Sequence, residues 1–179
     1  MLRRTIPYAE SNMLWKRLRP HFEGFPAQER LAQLMLVHGF RVVEGHVFAG
    51  NVNLADTALA RAAGVDRRVV AATVRTIMRV PELTRFFSQI QPVCYLGEVA
   101  PSMGWGAIEI VPTSASKPGI LAGVSTLIAE AGISVRQVIV DDPEIVDDPR
   151  GLIITESPVP ERLLPRIKAV DGVKSVVLH

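Results

Sequence analysis

The sequence lacks most of the features that mark secreted, metal-binding and membrane proteins. Its 179 residues include one cysteine, Cys94, which excludes an internal disulfide and a cysteine zinc site. No apolar run approaches the roughly 18 residues that a transmembrane helix needs. The opening segment, Met1–Thr5, has no apolar stretch behind it, so we expect no secretory signal. A cytoplasmic protein is the simplest interpretation.

The motifs of common enzyme classes are also missing. The sequence contains no nucleophile elbow, P-loop, dinucleotide fingerprint or zinc-ligand spacing. Three histidines (His21, His38 and His46) lie in the first half, and nothing in the pattern pairs them with Cys94. We therefore expect no catalytic residues, no cofactor and no metal site.

What is present is an apolar chain with an uneven charge distribution. Apolar residues make up 48% of the sequence and the mean hydropathy is +0.24, which favours a subunit interface and hence a homodimer. Residues 1–92 carry 13 lysines and arginines against 7 acidic residues, a net charge of +6. Residues 93–179 carry 7 against 11, a net charge of −4. Two modules with different partners are expected, and the basic one is the candidate for binding a polyanion.

A stretch without helical periodicity separates these modules. The segment from Gln91 to Gly106 contains two prolines and three glycines, which is typical of a connection. The sequence therefore predicts a mostly helical domain over 1–91, a linker over 92–105 and a second domain over 106–179.

In the first domain, apolar spacing, prolines and glycines predict a series of short helices. Phe40–Phe48 is β-rich and predicts a hairpin around Glu44 and Gly45. Asn53 and Asp66 are the expected N-caps of the third and fourth helices. The predicted helices are Tyr8–Arg19, Pro26–His38, Leu54–Ala63, Arg67–Val80 and Glu82–Ile90.

The stretch from Ala60 to Val70 has the composition of two helices crossing at a tight turn. Ala60 is small enough for the crossing, Gly64 suits the turn, and Val65, Val70 and Val74 provide the buried contacts. This pattern resembles the helix-turn-helix of bacterial and archaeal transcription regulators. Thr73 departs from it, because an apolar residue is more usual at that position.

Successive residues of the second of these helices are 100° apart around its axis, which separates an apolar face from a basic one. Val70, Val74 and Ile77 share the apolar face, and small Ala72 lies on the basic one. Arginine can pair with phosphate or with guanine, although a solvated helix face and a dimerisation module both remain alternatives. The candidate DNA-binding residues are Arg67, Arg68, Arg75 and Arg79.

In the second domain, β-branched runs alternate with two helical runs. The first helical run has an apolar stripe that predicts a buried face, formed by Ile120, Leu121, Val124, Leu127, Ile128 and Ala131. The order is βαββαβ, which predicts a ferredoxin-like fold and, with the first domain, an α+β protein. Pro165 lies within the second helical run, so we expect that helix to be short or irregular. The predicted elements are Ala107–Val111, Gly119–Ala131, Ile133–Val140, Leu152–Glu156, Pro160–Val170 and Val173–Leu178.

The loop from Pro112 to Leu121, with its Pro-Gly-Ile-Leu step, and the Ala-Gly-Ile-Ser step at Ala131–Ser134 resemble the ACT domain, a regulatory module that binds amino acids. The resemblance implies an effector site in this loop and at the start of the second strand, usually across a dimer interface. The loop lacks the His or Asn of many such domains, and Pro118–Gly119 would equally suit a plain strand-to-helix turn. The implied effector-binding residues are Ser114, Ser116, Lys117, Gly119 and Ser134.

Taken with the upstream helix-turn-helix, the whole chain resembles an archaeal helix-turn-helix–ACT protein, a predicted regulator of amino-acid metabolism. This resemblance implies a homodimeric transcription regulator whose partners are double-stranded DNA and a small effector, an amino acid. The alternative is a regulatory subunit that docks on a biosynthetic enzyme without binding DNA. The acidic stretch Asp141–Pro149 does not match a calcium loop, so a solvated loop is expected there.

Overall fold

The computed structural model describes residues 13–143, 146 and 148–179 of an α+β protein. Contacts divide the chain into two compact units, with Leu14–Cys94 in one and Tyr95–His179 in the other. The boundary between them falls inside the segment predicted as a linker. None of the helices in the described ranges combines the length and apolar character that crossing a bilayer requires.

The first unit consists of helices and a small antiparallel sheet with the strand order β1-β2-β3. Its core lies between the helices and includes the fully buried Phe22, Leu31, Met35, Val70 and Phe87. A single 3-10 turn, Arg19–Phe22, follows α1. The elements are α1 (Met13–Leu18), α2 (Pro26–His38), β1 (Phe40–Val43), β2 (His46–Ala49), β3 (Val52–Asn53), α3 (Asp56–Ala63), α4 (Arg67–Arg79) and α5 (Pro81–Phe87).

The predicted helix ends in this unit follow from local backbone chemistry. Gly39 and Gly64 end α2 and α3 in the left-handed conformation, with φ of +64° and +63°, which costs glycine little. Asp66 caps α4 by accepting a hydrogen bond from the backbone N–H of Arg68 at 2.8 Å. The hairpin turn lies at Glu44 and Gly45, both with positive φ, between β1 and β2. These predictions are confirmed, whereas the predicted bounds of the fifth helix, Glu82–Ile90, are wrong, because proline suits the first turn and α5 runs from Pro81 to Phe87.

The prediction that Asn53 caps α3 is wrong. Asn53 lies in β3, where it pairs with Phe48, and α3 begins two residues later than predicted, after the extended N-cap Ala55. Sheet pairing with β2 extends the backbone of Asn53 and adds a third strand that the sequence did not indicate. The predicted first helix begins at Tyr8, and the part of it before residue 13 lies outside the described residues.

The second unit is a four-stranded antiparallel sheet with interleaved helices and the strand order β5-β6-β4-β7. Pro165 stands at the junction where a 3-10 turn, Glu161–Leu163, passes into a short helix, so the expected irregularity is confirmed. The elements are β4 (Gly106–Pro112), α6 (Ile120–Glu130), β5 (Val135–Val140), β6 (Gly151–Thr155), α7 (Leu164–Lys168) and β7 (Val173–Leu178).

Different parts of the chain pack against the two faces of this sheet. On one face, Ile108, Ile110 and Ile153 pack with Val124 and Ile128 of α6. On the other, Ala107, Leu152 and Ile154 pack with Ala100, which is completely buried. Part of the predicted linker therefore belongs to the second unit and covers its sheet.

One residue of the apolar stripe predicted for α6 is not in the core. Leu121 was expected beside Val124 and Ile128, but it is 43% exposed. It lies in the first turn of α6, next to an opening between the helix and the sheet. This part of the stripe prediction is therefore wrong.

Candidate functional site

The first candidate surface is the outer face of α4. Arg67, Arg68, Arg75 and Arg79 are all exposed there. Among the described residues, none of the four forms an ion pair with an acidic side chain. The helix itself contains no acidic residue. Arg68, Arg75 and Arg79 therefore form a row of guanidinium groups on one side of α4, with no acidic partner among the described residues.

The opposite face of α4 fixes its orientation. Val70, Val74 and Ile77 are buried in the core of the first unit. Thr73, the departure from the helix-turn-helix pattern, is fully buried as well, and its hydroxyl donates to the carbonyl of Val69 at 2.8 Å. Because this bond satisfies the hydroxyl within the helix, a polar residue at this apolar position leaves no unpaired donor.

The second candidate site is a cavity of about 140 Å³ in the second unit. Its floor is a row of residues across three neighbouring strands, in which Gly151 of β6 lies opposite Ile110 of β4 and Val140 of β5. The first turn of α6 forms its roof, with Ile120 and Val124 among the lining residues. The cavity therefore opens beside the N-terminus of a helix of 11 residues.

Gly119 shapes the entrance on the helix side. It is the N-cap of α6, with φ of +94° and no side chain to accept a hydrogen bond from the first turn. The first N–H groups of a helix have no partner within the helix and attract negative charge. The positive end of the α6 dipole would therefore stabilise an anionic group at the mouth of the cavity.

Lys117, on the same loop, also lines the cavity. Its ammonium group pairs with Asp171 at 2.5 Å, and this acid is 88% exposed. The backbone N–H of Thr113 donates to the carbonyl of Gly172 at 2.8 Å. These two contacts hold the loop against the turn that precedes β7.

The far side of the entrance is formed by Asp141 and Arg150, which bracket the acidic loop. The Asp141 carboxylate accepts a hydrogen bond from the backbone N–H of Arg150 at 3.1 Å. The Arg150 guanidinium pairs with the buried Glu109 and with Asp148, which lies 2.6 Å away. Glu109 and then Asp148 raise the pKa of Arg150 above its ordinary value, so this group stays positively charged.

The structure gathers some of the predicted effector residues and separates others. Lys117 and Gly119 line the cavity, whereas Ser114 and Ser116 are exposed on the same loop outside its lining. Ser134 is exposed at the other end of the sheet, where its backbone bonds to Glu156. Val140 lies six positions after Ser134 along an extended chain, so the two are about 20 Å apart.

Sequence reasoning missed Gly151, Asp141 and Arg150 at this cavity. The available signal was a glycine next to a β-branched run, because a glycine in a strand often marks close approach by a ligand or another backbone. The predicted strand began at Leu152 and left that glycine in the loop.

No model of a known protein family matches the chain, and no curated protein matches it either. Within residues 13–143, 146 and 148–179, no group of three or more histidine, cysteine or acidic side chains is placed to hold a metal ion.

Proposed function

We propose that the protein is a ligand-responsive transcription regulator. Its first unit is a DNA-binding head in which α3 and α4 form a helix-turn-helix. Its second unit is a ferredoxin-like ACT domain that binds a small effector, an amino acid. The active form is a homodimer joined through the second unit.

The observation that carries the DNA-binding part is the arginine face of α4. A solvated helix face usually carries both signs of charge, and exposed arginines are commonly neutralised by neighbouring acids. Arg68, Arg75 and Arg79 have neither an acidic neighbour on α4 nor an acidic partner elsewhere in the described residues. This arrangement supports contact with phosphates and base edges in a groove of DNA.

The direct test is binding of the wild-type protein to a mixed-sequence DNA duplex, measured by fluorescence anisotropy over a series of salt concentrations. Each neutralised phosphate contributes about −0.9 to the slope of log K against log salt. We expect micromolar binding or tighter at low salt and a slope steeper than about −2. No binding at low salt would contradict the proposal.

The effector part is supported by the cavity beside α6. A carboxylate would meet the N-terminal N–H groups of the helix, while Asp141 offers an acceptor for an amino group across the opening. The N-terminus of α6 and Asp141 both belong to the second unit and line the same cavity. This pairing of a positive helix end and an acid suits the two charged groups of an amino acid.

A dimer would complete this site. Strand β5 is an edge of the sheet and exposes Val135, Val138 and Val140. If two copies pair their β5 edges antiparallel about a two-fold axis, the start of one strand lies beside the end of the other. Ser134 of the partner subunit would then approach the cavity near Val140, which accounts for its distance from the cavity in its own chain.

The dimer can be tested by light scattering at micromolar concentration, where we expect twice the chain mass of 19.6 kDa. Val138→Lys should produce monomers, because a lysine on an edge strand opposes pairing with another edge. Val177→Lys is the matched control. Val138 and Val177 are 38% and 39% exposed, but Val177 lies on the opposite edge strand, β7. A monomeric wild type, or dissociation by the control substitution alone, would refute an interface through β5.

The second candidate function is a regulatory subunit that docks on a biosynthetic enzyme. Met78, 49% exposed on α4 beside the arginines, favours it, because an exposed methionine suits a protein interface. This function predicts no salt-dependent binding to DNA, so the anisotropy experiment separates the two.

A further inference from the structure

We infer that the cavity of the second unit selects an amino acid with an apolar side chain, of the size of leucine, isoleucine or valine. The inference rests on the effector-binding part of the proposed function and specifies its ligand. It depends on three properties of the cavity, which are the missing side chain at Gly151, the apolar lining and the balance of charge around the entrance.

The missing side chain at residue 151 leaves open space in the lining of the cavity. Gly151 lies on the helix-facing side of β6, opposite Ile110 and Val140, which are both apolar. A Cβ added there would meet one atom within 4 Å, the Cβ of Ile110 at 3.9 Å. The space above Gly151 is therefore the space that a ligand side chain would occupy. Because its φ lies outside the left-handed region, backbone conformation does not require glycine here.

The lining and the volume decide which side chains fit. Ile110, Ile120, Val124 and Ile153 provide an apolar floor and roof, where a polar or charged side chain would lose its hydration without gaining a partner. The volume of about 140 Å³ is close to that of an engineered apolar cavity that accepts benzene. Aliphatic side chains of three or four carbons fit such a space.

The entrance has charges of both signs, and its two cationic groups already have acidic partners. Lys117 is paired with Asp171, and Arg150 with Glu109 and Asp148. The Asp141 carboxylate accepts a hydrogen bond from the backbone N–H of Arg150. A ligand with a large net charge, such as a phosphate ester, would have to displace one of these pairs. A zwitterion adds no net charge, so the entrance favours the backbone of a free amino acid.

The test is isothermal titration of the full-length protein with glycine, alanine, valine, leucine, serine, aspartate and lysine. Each buried methylene group adds about fourfold to affinity. Leucine, with three more side-chain carbons, should therefore bind roughly 60-fold more tightly than alanine, with valine in between. Serine, aspartate and lysine should bind more weakly than valine, because their side chains would lose hydration in an apolar lining.

Two variants and one control connect this preference with the cavity. Gly151→Val places a β-branched side chain in the empty space, so leucine binding should be lost while the unliganded melting temperature stays equal or rises. Ser175→Val, on the other face of the sheet at β7, should bind leucine like the wild type. Leu121→Ser changes an exposed residue at the rim, so it tests the same contact without altering the core and should weaken leucine binding severalfold.

The outcomes separate this inference from the function on which it rests. Tightest binding by serine, aspartate or lysine would overturn the apolar preference and leave an amino-acid effector in place. Failure of every amino acid to bind would overturn both. Leucine binding that survives both Gly151→Val and Leu121→Ser would assign the ligand to another part of the protein and overturn the inference.

Discussion

Replacement of Arg68 and Arg75 by alanine should weaken binding to duplex DNA about 30-fold, at about 1 kcal/mol for each lost contact. The slope of log K against log salt should also become shallower by about two, because two phosphate contacts disappear. Both side chains are exposed and lie opposite the buried face of α4. The double variant should therefore unfold at the same temperature as the wild type.

A matched control removes the same charge from another part of the first unit. Lys16 and Arg85 are exposed on α1 and α5, so Lys16→Ala combined with Arg85→Ala lowers the net charge equally without touching α4. This control should bind DNA nearly as tightly as the wild type. Equal losses in both double variants would show that binding depends on overall charge, and an unchanged affinity after the α4 substitutions would favour the docking subunit.

Gly119→Val should abolish the thermal shift that an amino-acid effector produces. Gly119 has φ of +94°, and a Cβ there would meet no protein atom within 4 Å, so the added side chain would stand at the entrance that Gly119 lines. The left-handed backbone should cost about 1–2 kcal/mol of stability. The unliganded fold should survive, because residue 119 lies outside the core. An effector at 100 times its dissociation constant adds about 2.7 kcal/mol, so its loss is measurable by melting.

The other end of α6 offers the control for backbone strain. Gly132 has φ of +73° and open space around an added Cβ, but it follows the last turn of the helix, away from the cavity. Gly132→Val should lose a similar amount of stability and keep the effector shift. A full shift in Gly119→Val would place the ligand elsewhere. If Gly119→Val alone failed to fold, Gly119 would serve only the turn between strand and helix.

Local sequence determined the elements whose ends depend on one or two residues. Helix α2 has the predicted bounds, Pro26–His38, because proline suits a first turn and Gly39 adopts positive φ at the end. Helix α4 begins where Asp66 caps it. These signals act over a single helical turn, and tertiary contacts did not override them.

Sheet pairing decided what local signals could not. Asn53 has the chemistry of an N-cap, yet pairing with Phe48 draws it into β3. The register between β4, β5 and β6 places Gly151 between Ile110 and Val140, although these residues lie far apart in sequence. The cavity and its apolar floor therefore depend on strand register. A shift of one residue would turn the floor side chains to the opposite face of the sheet.

The candidate sites also combine features that local sequence predicts with features that depend on tertiary structure. The arginine face of α4 could be predicted, because side chains repeat every 3.6 residues along one helix and a single buried stripe fixes which arginines point outward. The loop containing Lys117 and Gly119 was also identified from sequence. Only the tertiary structure brought Asp141 and Arg150 to the same opening and separated Ser134 from it, because residues at opposite ends of a strand are held apart by its length.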